Sequence, residues 1–358
     1  MKLYLIGGFL GSGKTTAIQQ AYAELVRNGV SAGVITNDQG VQLVDSRFMD
    51  SLDIPSREVT GGCFCCNYTR LEAHIRSLEQ TEQPQIIFAE SVGSCTDMVA
   101  TVVRPLQRFY PDLDISVTVF ADAGVLLPVL EEGKQLFEDS VAYIYDRQLE
   151  EADMLVVSKI DLLDADRRQE VLQLAQKKYP GKTVLGQDSF DKAHIRRWLR
   201  TLDEQGETER RALDVDYAVY GAGEARLAWL DEEMELHTDN GTAWQAGMEL
   251  LHRIYEDIVR QGYPVGHLKA LLDGGRRKIK ISYTAGGRLP DTPVPENDPV
   301  DNVVLLLNAR VQTEPDKLKQ LVADAIKDAA ARRGCRITSR KLSVFRPGFP
   351  RPTHRILD

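Results

Sequence analysis

The chain has 358 residues, of which 43% are hydrophobic and 27% are charged, so its composition excludes the disordered and fibrous classes. Its formal net charge is −9, which argues against a general affinity for nucleic acid because such affinity normally needs a basic face. The apolar N-terminus stops at two glycines without the cleavage pattern of a signal peptide, and no stretch approaches the roughly 20 apolar residues of a membrane helix. We therefore expect a cytoplasmic protein that binds neither nucleic acid nor membranes.

The first part of the chain alternates buried strands with helices. Short apolar runs predict strands at 3–6, 32–35, 85–89, 115–120 and 154–158. Between the first two strands, a helix is predicted over 15–28, ended by Gly29. Continuous apolar strands separated by helices indicate an α/β fold with a mostly parallel sheet covered on both faces. This P-loop domain is predicted to span 1–203.

The pattern changes after the first domain. Charged and small residues predict a linker over 204–223, followed by a smaller C-terminal domain over 224–358. In that domain, strands are predicted at 225–236, 267–272, 278–283, 302–311 and 339–345, and helices at 243–260 and 315–333. Residues 286–301 predict an exposed loop. The order of elements indicates an α+β domain, a ferredoxin-like variant with an extra strand.

A phosphate-binding motif follows the first strand. Gly8-x4-Gly13-Lys14-Thr15 stands between a buried strand and a helix, which is the context of a P-loop. Lys14 is expected to reach the β- and γ-phosphates, and the Thr15 hydroxyl to ligate Mg²⁺. The alternative is a glycine-rich turn with a capping threonine. The residues expected to bind nucleotide here are Gly8, Gly11, Ser12, Gly13, Lys14, Thr15 and Thr16.

A second Mg²⁺ ligand is predicted at the end of a neighbouring strand. Glu90 follows the buried run 86–89 and opens the sequence Glu90-Ser91-Val92-Gly93. We expect Glu90 to hold Mg²⁺ or its waters and to take part in catalysis with Lys14. The backbone N–H of Gly93 is expected to approach the γ-phosphate. The structural alternative for Glu90 is a helix cap.

A base-reading motif follows the strand predicted over 154–158. In Ser158-Lys159-Ile160-Asp161, the Asp161 carboxylate can accept two hydrogen bonds from guanine that adenine does not offer. The stem of Lys159 can lie over the base. The predicted nucleotide is therefore GTP. A surface helix cap at Ser158 or Asp161 is the alternative.

Three cysteines are packed into four positions. In Gly61-Gly62-Cys63-Phe64-Cys65-Cys66, the two glycines allow a turn that aims the thiolates at one point, and soft thiolates suit Zn²⁺ or another thiophilic metal. Three cysteines leave a fourth position for a carboxylate, histidine, water or client ligand. Small buried hydrophobic residues and a redox sensor are the alternatives.

With these segments in this order, residues 1–200 resemble the CobW family of P-loop GTPases, relatives of the nickel-handling accessory GTPases of urease and hydrogenase. The resemblance is carried by the P-loop, the cysteine loop, Glu90-x-x-Gly93 and Lys159-x-Asp161. It implies a GTPase that uses Mg²⁺ and whose nucleotide state controls the binding and delivery of a metal, often zinc or cobalt. The implied partner is a client metalloprotein or a protein of a cofactor pathway, and a homodimer is a further candidate.

The sequence departs from the family at two positions. The family's switch segment, Asn-Glu-Phe-Gly, corresponds to Asn37-Asp38-Gln39-Gly40, so the resemblance makes Asp38 both a nucleotide-site residue and a metal ligand. Aspartate has a shorter reach than the family's glutamate. Ser158 replaces an Asn that bridges base and P-loop, so weaker guanine binding is expected.

Two other functions stay open at this point. A P-loop kinase for a small molecule predicts a preference for ATP and gives the cysteine loop no role. A nucleotide-binding scaffold predicts little turnover.

Overall fold

A computed structural model describes residues 1–40, 44–52, 54–205, 210–285 and 298–358. The chain divides into two compact units. The first contains Met1–Gln39, Met49–Gly223 and Gly348–Asp358, and the second contains Gly40–Phe48 and Glu224–Pro347. The predicted boundaries at 203 and 224 stay a prediction. Two short segments, Gly40–Phe48 and Gly348–Asp358, belong to the unit that is distant from them in sequence.

The first unit is built on a seven-stranded parallel sheet in the order β3-β2-β4-β1-β5-β6-β7. Its strands are β1 (Lys2–Gly8), β2 (Ala32–Asp38), β3 (Ser56–Thr60), β4 (Ile86–Glu90), β5 (Asp114–Asp122), β6 (Met154–Ser158) and β7 (Thr183–Gln187). The two edge strands, β3 and β7, are absent from the sequence prediction. Edge strands are only partly covered, so β3 carries Arg57 and Glu58 in place of a continuous apolar run.

Helices follow most of these strands. They are α1 (Lys14–Arg27), α2 (Val44–Asp50, which belongs to the second unit up to Phe48), α3 (Tyr68–Thr81), α4 (Arg104–Phe109, preceded by the π-helical turn Val99–Val103), α5 (Ala123–Glu132), α6 (Asp139–Glu151), α7 (Ala165–Lys178), α8 (Lys192–Glu204) and α9 (Tyr217–Ala225). Helix α9 begins within the segment predicted as a linker and ends two residues beyond it, and residues 206–209 of that segment lie outside the described residues.

The core explains why the strands are apolar throughout. Tyr4 and Ile6 of β1 share a buried cluster with Ile18 of α1 and Trp198 of α8, on one face of the sheet. Leu3 and the residue between Tyr4 and Ile6 point to the opposite face of the sheet, because side chains alternate along a strand, and they are also fully buried. Both faces of the central strands therefore need hydrophobic side chains, as expected for a parallel sheet between helical layers.

The second unit is an antiparallel sheet in the order β10-β9-β11-β8-β12. Its elements are β8 (Leu227–His237), α10 (Ala243–Arg260), β9 (Val265–Asp273), β10 (Lys278–Thr284), β11 (Asn302–Gln312), α11 (Pro315–Arg333) and β12 (Arg336–Phe345). Without β10, the order is that of a ferredoxin-like βαββαβ sheet, and β10 adds a strand at one edge. The predicted fold class is confirmed. The predicted loop 286–301 lies outside the described residues except for its last four positions.

Helices α10 and α11 bury one face of this sheet in a large apolar cluster. On the other face, Val44 and Phe48 pack with Leu271 and Leu306. Asp45 pairs with two lysines of the sheet, at 2.6 Å from Lys269 and 2.7 Å from Lys280. Burial alone raises the pKa of Asp45, but the two ammonium groups outweigh it and hold the pKa well below its ordinary range.

Among the described residues, no helix is both long enough and apolar enough to cross a membrane.

Candidate nucleotide and metal site

The glycine loop joins the central strand β1 to helix α1. Strand β1 ends at Gly8 between its neighbours β4 and β5, and α1 begins at Lys14. Gly8 has φ +127°, and a Cβ there would lie 2.2 Å from the backbone oxygen of Phe120. Gly13, the residue before the helix, has φ +88° in the left-handed region. The loop therefore depends on glycine at both ends.

The polar residues of the loop are gathered at the first turn of α1. Lys14 Nζ donates to the carbonyl oxygens of Gly8, at 2.6 Å, and Phe9, at 3.2 Å. Thr15 Oγ1 donates to Glu90 Oε1 at 2.8 Å. Thr16 is half-buried in the same turn. A lysine and a hydroxyl of the first turn of α1 thus meet the carboxylate at the end of β4, and together they form the set of groups that a nucleotide phosphate with Mg²⁺ needs.

Two buried hydroxyls support the same assignment. In the part of the chain that the structure describes, Ser12 Oγ and Ser91 Oγ are buried and have no hydrogen-bond partner. Ser12 lies in the glycine loop beside Gly11, which has φ +76°. Buried hydroxyls without partners are costly, so a bound polar ligand would satisfy them.

The Glu90 segment runs directly beside the glycine loop. Glu90 is the last residue of β4, is 7% exposed and does not cap a helix, since the next helical turn begins at Val99. A Cβ at Gly93 would lie 2.8 Å from the backbone N of Leu10. The backbone of Gly93 therefore touches the P-loop. Displacement of either segment would therefore disturb the other.

The base-reading residues follow β6, two strands away from β1. Ser158 Oγ donates to the carbonyl oxygen of Ser12 at 2.7 Å, so serine makes the link to the P-loop that the sequence left in doubt. Lys159 has φ +58°, and its Nζ lies 2.6 Å from Asp122 Oδ2. Asp161 is exposed in a 3-10 turn, and the residue that caps the following helix α7 is Asp164.

The cysteine loop connects β3 to α3. Gly61 has φ +75°, and the turn that follows is closed by N–H donation from Cys66 and Asn67 to the Cys63 carbonyl. The sulfur atoms of Cys63, Cys65 and Cys66 all lie within 4.8 Å of one another. Cys63 and Cys65 are the closest pair and are joined as a disulfide, so a metal-binding form of the loop is the reduced one.

Asn37 fastens this loop to the end of β2, a role that sequence reasoning missed. Its Nδ2 donates to the carbonyl oxygens of Val59, at 2.9 Å, and Gly62, at 2.7 Å. Its Oδ1 accepts from the backbone N of Phe64 at 2.8 Å. Asn37 directly precedes Asp38, so the cysteine loop is tied to the start of the predicted switch segment.

The C-terminal segment Gly348–Asp358 also lies on the cysteine loop. The backbone N of Arg351 donates to Cys66 Sγ at 3.2 Å, and the backbone N of Thr353 donates to the Cys65 carbonyl at 2.8 Å. Further along, Arg355 Nε lies 2.8 Å from Oδ2 of the fully buried Asp97. The segment is therefore placed on the cysteine loop by backbone contacts and beyond it by an ion pair.

Two acids near the Glu90 segment have raised pKa values. Burial raises the pKa of Asp97 despite its hydrogen bonds from Tyr217 and Arg355. Burial, with a contribution from the charge of Asp97, also raises the pKa of Glu151 to about 7. Glu151 accepts hydrogen bonds from Thr96 Oγ1 and from the backbone N of Val99, so it holds the segment beyond Gly93.

Two further residues bear on the metal site, Asp38 and Cys95. Asp38 is the last residue of β2 and is not among the ligand atoms that are all within 4.8 Å of one another, so its role as a metal ligand stays a prediction. Cys95, which the sequence prediction omitted, has its Sγ 4.0 Å from Cys65 Sγ. The available signal was its place five residues after Glu90, at the same edge of the sheet.

Known proteins with similar sequences support one family. The profile of the family described as "CobW/HypB/UreG, nucleotide-binding domain" matches residues 2–185. The zinc chaperone YeiR of Escherichia coli K12 is 28% identical over 160 residues, which are 44% of this chain and 46% of YeiR. The zinc chaperone CobW of a Sinorhizobium species is 29% identical over an alignment of 185 residues with gaps, which covers 45% of this chain and 51% of that protein. The chain thus spans about half the length of these relatives.

A solved structure of HypB from Helicobacter pylori in complex with nickel is also similar, with 16% identity and a TM-score of 0.43. The match covers 58% of this chain and 90% of HypB. The family assignment depends on the profile match, which includes the P-loop, the cysteine loop, the Glu90 segment and the base-reading motif. The resemblance drawn from these motifs is therefore confirmed, and the chain belongs to the CobW/HypB/UreG family of nucleotide-binding proteins.

Proposed function

We propose that the protein binds and hydrolyses GTP, and that its nucleotide state controls the binding and delivery of a transition metal to a client protein. The observation that carries this proposal is the position of Asn37. Its side chain holds the cysteine loop at Gly62 and Phe64, and its backbone leads directly into the switch residue Asp38. One residue thus joins a cluster of three sulfurs to the segment expected to respond to the γ-phosphate.

The nucleotide half of the proposal assigns roles around the P-loop. Lys14 exchanges its carbonyl partners for the β- and γ-phosphates, and Ser12 and Ser91 supply hydroxyls to the bound nucleotide. Thr15 and Glu90 hold Mg²⁺, which neutralises charge on the phosphates when it is bound.

Base selection is assigned to the motif after β6. Asp161 reads guanine, and Lys159 lies along the base. Ser158 keeps this motif in register with the P-loop through its bond to the Ser12 carbonyl.

The metal half assigns the cargo to Cys63, Cys65 and Cys66. Thiolates favour soft or borderline cations, and both curated relatives carry the name zinc chaperone, so Zn²⁺ is the proposed cargo, with Co²⁺ as an alternative. Delivery requires an acceptor, which we propose is a client metalloprotein or a protein of a cofactor pathway. A second copy of the chain is a further proposed partner.

A zinc titration with three nucleotide states tests the coupling. We expect the reduced protein to bind zinc with different affinities when it holds GDP, a non-hydrolysable GTP analogue or no nucleotide. By linkage, zinc must then change nucleotide affinity by the same factor. Equal zinc affinities in all three states would contradict the proposal.

A nucleotide competition and a single-turnover assay separate the alternatives. A kinase predicts that ATP displaces GTP and that phosphate passes to an acceptor other than water. A scaffold predicts no difference between the wild type and Lys14→Ala in single-turnover hydrolysis. The proposed GTPase predicts preference for GTP and loss of hydrolysis in Lys14→Ala.

A further inference from the structure

Cys95 lies beside the cysteine loop although it is distant from the loop in sequence. Its Sγ is 4.0 Å from Cys65 Sγ, and the residue is fully buried. Two thiolates on one tetrahedral Zn²⁺, each at about 2.3 Å from the metal, lie roughly 3.8 Å apart. The observed separation is therefore close to that of two sulfurs that share a zinc ion.

The three cysteines of the loop do not complete a tetrahedral site. Cys63 to Cys66 is 3.3 Å between sulfurs, and Cys65 to Cys66 is 3.8 Å. Within the described ranges, no histidine, carboxylate or further cysteine joins these three in the set of ligand atoms that are all within 4.8 Å of one another. Cys95 approaches the cluster at Cys65, 4.0 Å away, and its sulfur is beyond 4.8 Å from at least one of the other two, so a four-sulfur site requires the reduced loop to close toward Cys95.

One backbone contact favours a thiolate at Cys66. Cys66 Sγ accepts a backbone N–H from Arg351, and such donors stabilise the negative charge of a metal-bound sulfur. Cys63 and Cys65 are buried and Cys66 is half-buried. A closed set of four sulfurs would exclude water more fully than three.

The segment that carries Cys95 is hydrogen-bonded to Gln148 and touches the P-loop. Gln148 Nε2 donates to the carbonyl oxygens of Gly93, at 3.0 Å, and Cys95, at 2.8 Å. Gly93 is the residue that touches the P-loop at Leu10. The backbone therefore connects Cys95 to the nucleotide site over two residues.

We propose that Cys95 is the fourth sulfur ligand of the metal that Cys63, Cys65 and Cys66 bind. This inference rests on the proposed function only for the presence of the metal. A four-sulfur site would be closed for storage. Displacement of the Glu90 segment would withdraw Cys95 and leave three sulfurs with an open position for transfer.

X-ray absorption at the zinc edge tests the ligand count in the wild type. The full-length protein is reduced, loaded with one equivalent of Zn²⁺ and freed of excess metal. We expect four sulfur neighbours at about 2.3 Å. Three sulfurs with one nitrogen or oxygen neighbour would overturn the role of Cys95 and leave the metal-binding proposal intact.

Co²⁺ binding to cysteine variants provides the second measurement. We expect Cys95→Ser to lose about a quarter of the thiolate-to-cobalt charge-transfer absorbance and to bind Zn²⁺ at least tenfold more weakly. Cys335→Ser is the matched control, because Cys335 is also buried but belongs to the second unit, with its sulfur against the Ala329 carbonyl. Thermal unfolding and GTP binding check that each variant is folded.

The outcomes separate this inference from the proposed function. If Cys65→Ser loses metal while Cys95→Ser keeps wild-type affinity and absorbance, only the role of Cys95 fails. If the reduced wild type binds neither metal, both proposals fail. If Cys95→Ser does not fold, the sulfur count in the wild type decides.

Discussion

Asn37→Ala is the substitution that most directly tests how the cysteine loop is held. The change removes three hydrogen bonds, to the Val59 and Gly62 carbonyl oxygens and from the Phe64 N–H, with donor to acceptor distances of 2.7 to 2.9 Å. Asn37 is 8% exposed and Phe64 is fully buried, so water has little access to replace these bonds. The loop would lose the contacts that fix its backbone before metal binds.

The expected size follows from those contacts. Each bond contributes about 1 kcal/mol net, so the three together stabilise the loop by about 3 kcal/mol. If metal binding must restore that order, zinc affinity falls by up to about 100-fold, since about 1.4 kcal/mol corresponds to a factor of ten. Loss of groups that orient metal ligands typically costs about 10 to 100-fold in affinity, which agrees with this range.

The assay is competition for Zn²⁺ with a chromophoric chelator under reducing conditions. Asn37→Asp should bind no better than Asn37→Ala, because a carboxylate keeps the acceptor but faces two carbonyl oxygens. Asn28→Ala is the matched control, since Asn28 also bonds a carbonyl oxygen, that of Glu24, at the end of α1. A folded Asn37→Ala protein with wild-type zinc affinity would refute the reasoning.

Three further substitutions test other contacts. Gly93→Ala places a Cβ 2.8 Å from the Leu10 N, so the segments must separate, and we expect single-turnover GTP hydrolysis to fall about tenfold. Glu151→Gln should flatten the pH dependence of unfolding free energy. The pKa of Glu151 is higher in the folded state than in the unfolded chain. Its contribution to the free energy of unfolding is therefore complete below about pH 4.5, and roughly 3 kcal/mol of it is lost as pH rises through about 7. Arg355→Ala removes the ion-pair partner of the buried Asp97, which keeps its hydrogen bond from Tyr217, and should lower the unfolding free energy by about 1 to 3 kcal/mol, measured by urea titration.

Each of these has a control or a contrary result. Gly348→Ala is matched to Gly93→Ala, because an added Cβ there meets no described atom within 4 Å. An unchanged slope of stability against pH between 5 and 8 in Glu151→Gln would show that another group titrates. Arg346→Ala is the control for Arg355→Ala, since Arg346 pairs with the exposed Glu314 of the second unit. Equal destabilisation by both arginine substitutions would contradict the inference that the buried carboxylate of Asp97 needs Arg355 as its partner.

Strands and helices with strong local patterns could be predicted from the amino-acid sequence. Helices 243–260 and 315–333 have the predicted bounds, because periodic apolar residues and clear ends act within each segment. The P-loop could also be predicted from a local pattern, because the conformations of Gly8 and Gly13 are set within one short turn. The mutual proximity of Cys63, Cys65 and Cys66 also follows from a local turn.

The contacts between distant residues at the site became visible only in the folded chain. Asn37 reaches the cysteine loop because β2 and β3 are adjacent parallel strands, and no feature of Asn37 itself indicates this. Cys95 approaches Cys65, and Arg351 approaches Cys66, across long separations in sequence. Local propensity determines the individual helices and strands. Hydrogen bonds and sulfur contacts between them depend on how the chain packs, and local sequence patterns do not specify that packing.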